Sequence, residues 1–227
     1  AGLLNASKVV GKPFSSLRVC INGAGAAGNA IAKMLLGIHV PPGFPRVKEV
    51  ILCDTHGAIY SGRRNLDSQK AFLAAHTNKR KVKGPLSSAI HHADAFIGVS
   101  VAGALSPEFI SQMSKDPIIF AMANPTPEIL PTLAKKAGAA VVATGRSDFP
   151  NQVNNALAFP GIFRGAMDAR VTRITEGMKM AAAQALASMV KNPSSEKILP
   201  FLSDRKVAKV VAAAVKAQAI KENVLRR

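Results

Sequence analysis

A doubly wound α/β fold, a parallel sheet with helices on both faces and extra C-terminal helices, is what the sequence predicts, on three observations. Short runs rich in Val and Ile alternate with longer stretches of helical periodicity between residues 17 and 144, as in strands joined by crossover helices. The turn Gly23-Ala24-Gly25-Ala26-Ala27-Gly28 stands between the first such run and an apolar helical pattern. Beyond Asn154 the strand-like runs stop and the pattern turns helical. Crossovers of this type are right-handed, and the strands they join are buried on both faces, hence their apolar composition.

The elements follow in order. Residues 2–10 are helical in pattern but begin at residue 1 with no capping residue, which suggests a domain upstream. Strands are expected at 17–22, 47–54, 95–100, 118–123 and 139–144, with helices at 26–36, 67–76, 107–113 and 127–137 between them. Two longer amphipathic segments close the chain. The segment 175–191 opens on Thr175 and Glu176, a capping pair, and stops before Asn192-Pro193; the other runs from 204 to 222. These helices are expected to pack back on the sheet. Residues 1–227 are then read as one domain.

The site is predicted from the glycine turn. Its six residues follow the strand Arg-Val-Cys-Ile-Asn and open a helix, the strand–turn–helix setting that a GxGxxG needs to hold a dinucleotide diphosphate in a Rossmann-type fold. Gly23 permits the tight turn, Gly25 lets the backbone approach the diphosphate, and Gly28 lets helix and strand pack closely; the intervening Ala24, Ala26 and Ala27 offer backbone N–H groups. Uncapped N–H groups at a helix N-terminus and the helix dipole favour the anion. Asp54 ends the second strand, 26 residues after Gly28, and is expected to accept hydrogen bonds from the adenosine ribose. The excess over the usual spacing of about 20 comes from the Pro-rich stretch 40–46. Asp54 would repel a 2′-phosphate and so favours NAD, whereas His56, Arg63 and Arg64 could neutralise that phosphate and favour NADP. Both cofactors stay open.

Composition narrows the partners. Lys and Arg number 30 against 13 Asp and Glu, a net charge of +17, yet 48% of residues are hydrophobic, enough to build a core and too many for a disordered basic tail. No apolar run approaches the roughly 18–20 residues of a membrane span. Cys20 and Cys53 lie in apolar runs and read as buried reduced thiols, in keeping with a cytoplasmic location. The charge raises a basic nucleic-acid-binding module as an alternative, with its densest run at 78–83. There is no Trp and only one Tyr, Tyr60, so the aromatic platforms common in such modules are missing.

Further candidates lie at the ends of later strands. Asn124 falls at a strand's carboxyl end, where open α/β sheets bind ligands, and its amide can both donate and accept. Asn154 and Asn155 precede a helix and could cap it or face a ligand. Asp148 is either a site-edge carboxylate or a turn residue before Phe149-Pro150.

Four segments, together with the glycine turn, resemble the cofactor-binding domain of malic enzyme, particularly the bacterial type. They are Cys-Asp-Thr-His-Gly-Ala-Ile-Tyr (53–60), Phe-Ile-Gly-Val-Ser-Val-Ala-Gly-Ala (96–104), Phe-Ala-Met-Ala-Asn-Pro-Thr-Pro-Glu (120–128) and Ala-Thr-Gly-Arg-Ser-Asp-Phe-Pro-Asn-Gln-Val-Asn-Asn-Ala-Leu-Ala-Phe-Pro-Gly-Ile-Phe-Arg-Gly (143–165). The likeness runs over nearly the whole chain. It implies oxidation of malate by NAD or NADP and decarboxylation to pyruvate and CO2, assisted by a divalent cation such as Mg²⁺ or Mn²⁺. It places Val99 and Ser100 on the cofactor path and turns Asn124 and Asn154 toward nicotinamide or substrate, with Asn155 as the next choice. The family's Tyr and Lys acid/base pair and its carboxylate metal ligands belong to a preceding domain. None of them is matched here, so neither catalytic nor metal-binding residues are assigned, and the isolated chain is expected to be inactive. The family also implies a homo-oligomer. The cofactor domain of another amino-acid or hydroxy-acid dehydrogenase is the nearest alternative.

Overall fold

The computed structural model describes residues 1–226 of the chain. Helix α1 (Gly2–Val9) and a 3-10 turn (Phe14–Ser16) lead into β1 (Arg18–Asn22), α2 (Ala26–Leu36), β2 (Glu49–Asp54) and β3 (Gly57–Ala58). Next come α3 (Ser68–His76), α4 (Leu86–Ile90), β4 (Ala95–Gly98), α5 (Pro107–Ser111), β5 (Ile118–Ala121), α6 (Pro131–Lys136) and β6 (Val141–Thr144). A 3-10 turn (Asn155–Leu157) precedes α7 (Phe159–Asp168), α8 (Glu176–Ser188) and α9 (Lys206–Lys221).

The six strands form one sheet in the order β3-β2-β1-β4-β5-β6. All neighbours are parallel except the short β3, which returns antiparallel on β2. The chain winds outward from β1 to β2 and then crosses to β4 on the other side of β1. The sheet therefore changes winding direction between β1 and β4, the place where such sheets bind ligands at their carboxyl edge.

Alternate residues of each strand point to opposite faces, and each face has its own core. Val19, Ile21, Val50, Leu52, Ile97, Phe120 and Val141 share one cluster with Leu3 of α1, Ala32 of α2, Met178 of α8 and Val211 of α9. Cys20, Ile51, Phe96, Ile119 and Val142 share the other with Ile90, Ile110 and Ala134 of α4, α5 and α6. The C-terminal helices thus pack on the sheet, as expected. Thr175 caps α8 by accepting from the Met178 N–H at 3.1 Å, and Asp67 caps α3 by accepting from the Lys70 N–H at 2.8 Å.

Three local differences from the sequence reading have identifiable causes. The helix expected from residue 127 begins only at Pro131, because Leu130 before it is held extended, as the residue preceding a proline prefers. The segment it vacates brings Glu128 into the interior. Helix α4 and strand β3, of five and two residues, are too short to show a period in the sequence.

Candidate functional site

The glycine turn has the geometry that its sequence predicts. Gly23 has a φ of +118°, open mainly to glycine, and a Cβ there would stand 2.5 Å from the Val99 carbonyl oxygen. A Cβ on Gly28 would overlap the carbonyl oxygen of Gly23. Gly25 differs, since nothing lies within 4 Å of its Cβ position. Gly25 is the N-cap residue of α2, with no side-chain cap and no acidic residue in the first turn. The turn therefore leaves free space directly in front of unclaimed helix N–H groups and their positive dipole end, which suits a diphosphate.

Beside it, the Gly23 N–H donates to the Cys53 carbonyl at 2.9 Å, placing the end of β2 and Asp54 next to the turn. Both carboxylate oxygens of Asp54 are already engaged. Oδ1 accepts from the His56 N–H and from Arg63 Nη1, each at 2.9 Å. Oδ2 pairs with Arg63 Nη2 and, at 3.2 Å, with Lys70 Nζ. Burial pushes the Asp54 carboxyl up, but Arg63, the His56 N–H and Lys70 outweigh it and hold the pKa at about 2. So a ribose hydroxyl would have to share or displace these donors. Of the three cations weighed against Asp54 in the sequence, Arg63 turns inward to pair with it. Arg63 also lines, with His56, Tyr60, Arg64, Asn65 and Gly84, a cavity of about 290 Å³. Lys70 is an addition that one turn of a helix supplies and that spacing along the chain did not suggest.

Val99 and Ser100 are drawn to the same place. The Val99 N–H donates to the Asn22 carbonyl at 2.9 Å, and Asn22 Nδ2 donates to Ser100 Oγ at 3.0 Å. Asn124 is exposed at the carboxyl edge beyond β5. Its loop is tied to Ser100 through Glu128, a fully buried residue that the sequence reading passed over. Glu128 Oε1 accepts from the Ser100 N–H, and Oε2 from the Ala123 N–H, each at 3.0 Å. Its signal was present in Asn-Pro-Thr-Pro-Glu, but nothing in a linear sequence says that a glutamate there turns inward.

Asn154 and Asn155 stand elsewhere on that edge. The Asn154 side chain caps the 3-10 turn, accepting from the Ala156 N–H at 2.9 Å, which realises the capping role. Asn154 and the exposed Asn155 border an apolar cavity of about 350 Å³ with Met34, Leu157, Phe159 and Leu186. Asp148 pairs on the surface with Arg146 at 2.7 Å, and this guanidinium hydrogen bond holds its carboxyl below the usual range. That is the behaviour of a turn residue. Cys20 and Cys53 are free and buried. Among the described residues no group of three or more His, Cys, Asp or Glu side chains could hold a metal ion, and no helix is long and apolar enough to cross a membrane.

A doubly wound sheet with this turn at its switch point defines a dinucleotide-binding domain of the Rossmann class. Within that class, residues 1–220 match the family described as the malic enzyme NAD binding domain, and the chain belongs to that family. It is 53% identical over 229 residues to the bifunctional malic/malolactic enzyme of Bacillus subtilis, covering 100% of this chain and 54% of that protein. To the NADP-dependent malic enzyme of Halomonas elongata it is 44% identical over 200 residues, covering 88% of this chain and 45% of that protein. Among solved structures, the malic enzyme of Pyrococcus horikoshii superposes with a TM-score of 0.90 at 44% identity, over 99% of this chain and 53% of that one. The NAD-dependent malic enzyme of Thermotoga maritima gives 0.88 at 44% identity, over 95% and 55%. The chain thus spans about half the length of the relatives it matches.

Proposed function

We propose that residues 1–227 form the dinucleotide-binding domain of an enzyme that oxidatively decarboxylates malate to pyruvate and CO2 with reduction of NAD or NADP. The observation that carries this reading is the open space at Gly25 in front of the uncapped N-terminus of α2, in a chain of the malic enzyme family. The bound dinucleotide would supply the hydride acceptor. Backbone N–H groups of Gly23, Ala24, Gly25, Ala26, Ala27 and Gly28 hold its diphosphate. Asp54 and its attendant cations face the adenosine ribose. Val99, Ser100 and Asn124 orient the nicotinamide half, and Asn124, Asn154 and Asn155 face the substrate.

The proton transfers and the divalent cation of the complete enzyme, Mg²⁺ or Mn²⁺, call for the Tyr and Lys pair and the carboxylate ligands that the family resemblance places in a preceding domain. The described residues do not fit such a cation, and its ligands are assigned to the other half of the relatives' length. That half, malate and pyruvate are the expected partners, within a homo-oligomer. A cytoplasmic setting is supported by the two free, buried thiols.

Titration of the chain with NAD and with NADP tests the reading. Saturable binding below millimolar of at least one is expected, without malate oxidation by the chain alone. A folded chain that binds neither refutes the cofactor role, and turnover by the chain alone refutes the division of labour.

A further inference from the structure

Glu128 is the one carboxylate that the structure buries completely without giving it a basic partner among the described residues. A carboxyl group is costly to bury, and an apolar side chain of similar volume would serve a packing role at less cost. Its surroundings are built to receive it. The Cβ position of Gly98, the last residue of β4, is occupied by the Glu128 carboxyl group. Only donors face its oxygens: the Ser100 N–H at 3.0 Å, the Ser100 hydroxyl at 3.4 Å and the Ala123 N–H at 3.0 Å. The backbone laces the same segments, with the Leu105 N–H donating to the Glu128 carbonyl at 3.1 Å and the Gly103 N–H to the Pro127 carbonyl at 3.2 Å.

One side chain thus joins the loops that follow β4 and β5. Through Ser100 and Asn22 it also reaches the residue immediately before the glycine turn. A dinucleotide whose diphosphate sits on that turn crosses the switch point, so its second half lies over β4 and β5. The diphosphate end is held by the turn itself and by α2, neither of which Glu128 touches.

We propose that Glu128 is a positioning residue that holds Ser100 and the Ala123-Asn124 segment in register for the nicotinamide half of the cofactor. The assignment rests on the dinucleotide-binding reading above and adds to it an internal division: one half of the cofactor depends on Glu128 and the other does not.

The test compares ligands that differ by the nicotinamide. Affinities of the full chain for NAD, NADP and ADP-ribose are measured by calorimetry for wild type and Glu128→Gln, with thermal melting as the control for folding. Glutamine keeps the shape but turns an NH2 toward one of the two backbone N–H donors, whichever way the amide is placed. Binding of the whole dinucleotide is expected to weaken about tenfold as the Ser100 and Ala123-Asn124 segments lose their register, with ADP-ribose within about twofold of wild type. Equal weakening of both ligands, or of neither, overturns the assignment. If Glu128→Gln does not fold, Glu128→Asp takes its place: it keeps the charge but is one methylene shorter and cannot hold the Ser100 and Ala123 N–H groups together, and the same unequal loss is expected. A wild-type chain that binds none of the three ligands instead overturns the dinucleotide reading, and the assignment with it.

Discussion

Gly98 and Glu128 occupy one place between them: the carboxyl group of the glutamate fills the volume a side chain at Gly98 would need. The two residues are 30 apart in sequence and meet at the carboxyl end of β4. Gly98→Ala is therefore expected to push Glu128 off the Ser100 and Ala123 N–H groups. Overpacking of this kind costs about 1–3 kcal/mol, and urea denaturation would read it. A variant as stable as wild type would mean that the loop yields without cost.

The three glycines of the turn should separate by experiment. Gly28→Ala forces a Cβ onto the Gly23 carbonyl oxygen and is expected to destabilise the fold by about 2 kcal/mol or more. Gly25→Ala meets open space at a φ of −81°. It should cost less than about 1 kcal/mol of stability while obstructing the diphosphate. Melting curves and dinucleotide titration on the two variants should move in opposite proportions.

Asp54 predicts an acid limb in stability. Its pKa lies at about 2 against 3.8 for an unperturbed carboxyl, so the folded state binds its proton less readily than the unfolded state. The resulting stabilisation is present above about pH 4 and is lost as pH falls toward about 2. Asp54→Asn should be less stable than wild type by about 2 kcal/mol at pH 7, and the gap should close across that window. A gap independent of pH between about 4 and about 2 would show that the carboxylate is not what Arg63 and Lys70 stabilise.

Asn151 lies within the 143–165 stretch that carries the family likeness, yet its side chain serves the fold. Nδ2 donates to the Val142 carbonyl at 3.0 Å and the Ser195 carbonyl at 2.6 Å, and Oδ1 accepts from the Ile198 N–H at 2.9 Å. Asn151→Ala would orphan the Ile198 N–H and two carbonyls in a buried region, costing about 2–4 kcal/mol. Dinucleotide affinity per folded molecule should stay unchanged, which equilibrium binding at low temperature would check.

What the sequence by itself determined are the features carried by a few consecutive residues or by a long regular period. The strand–turn–helix around Gly23 and Gly28 could be read directly, because a sharp turn, a close approach and a helix start all fall within six consecutive residues. The alternation of Val-rich runs with helical periods likewise determined the parallel sheet, since period and burial are properties of neighbours in sequence. Tertiary structure alone decided the rest of the site. Asp54 ends its strand as expected, but that it meets Lys70 of α3 at 3.2 Å follows only from how the chain folds back. That Asn154 Oδ1 accepts from the Ala156 N–H, while its residue also borders a cavity, is likewise a matter of tertiary structure. Glu128 appears linearly as one more polar residue after a proline. Its burial exists only because the loops after β4 and β5 present donors to it from both sides, over a glycine at the end of β4. Hydrogen bonding there is a relation between segments far apart in the chain, which no period or spacing within either one encodes.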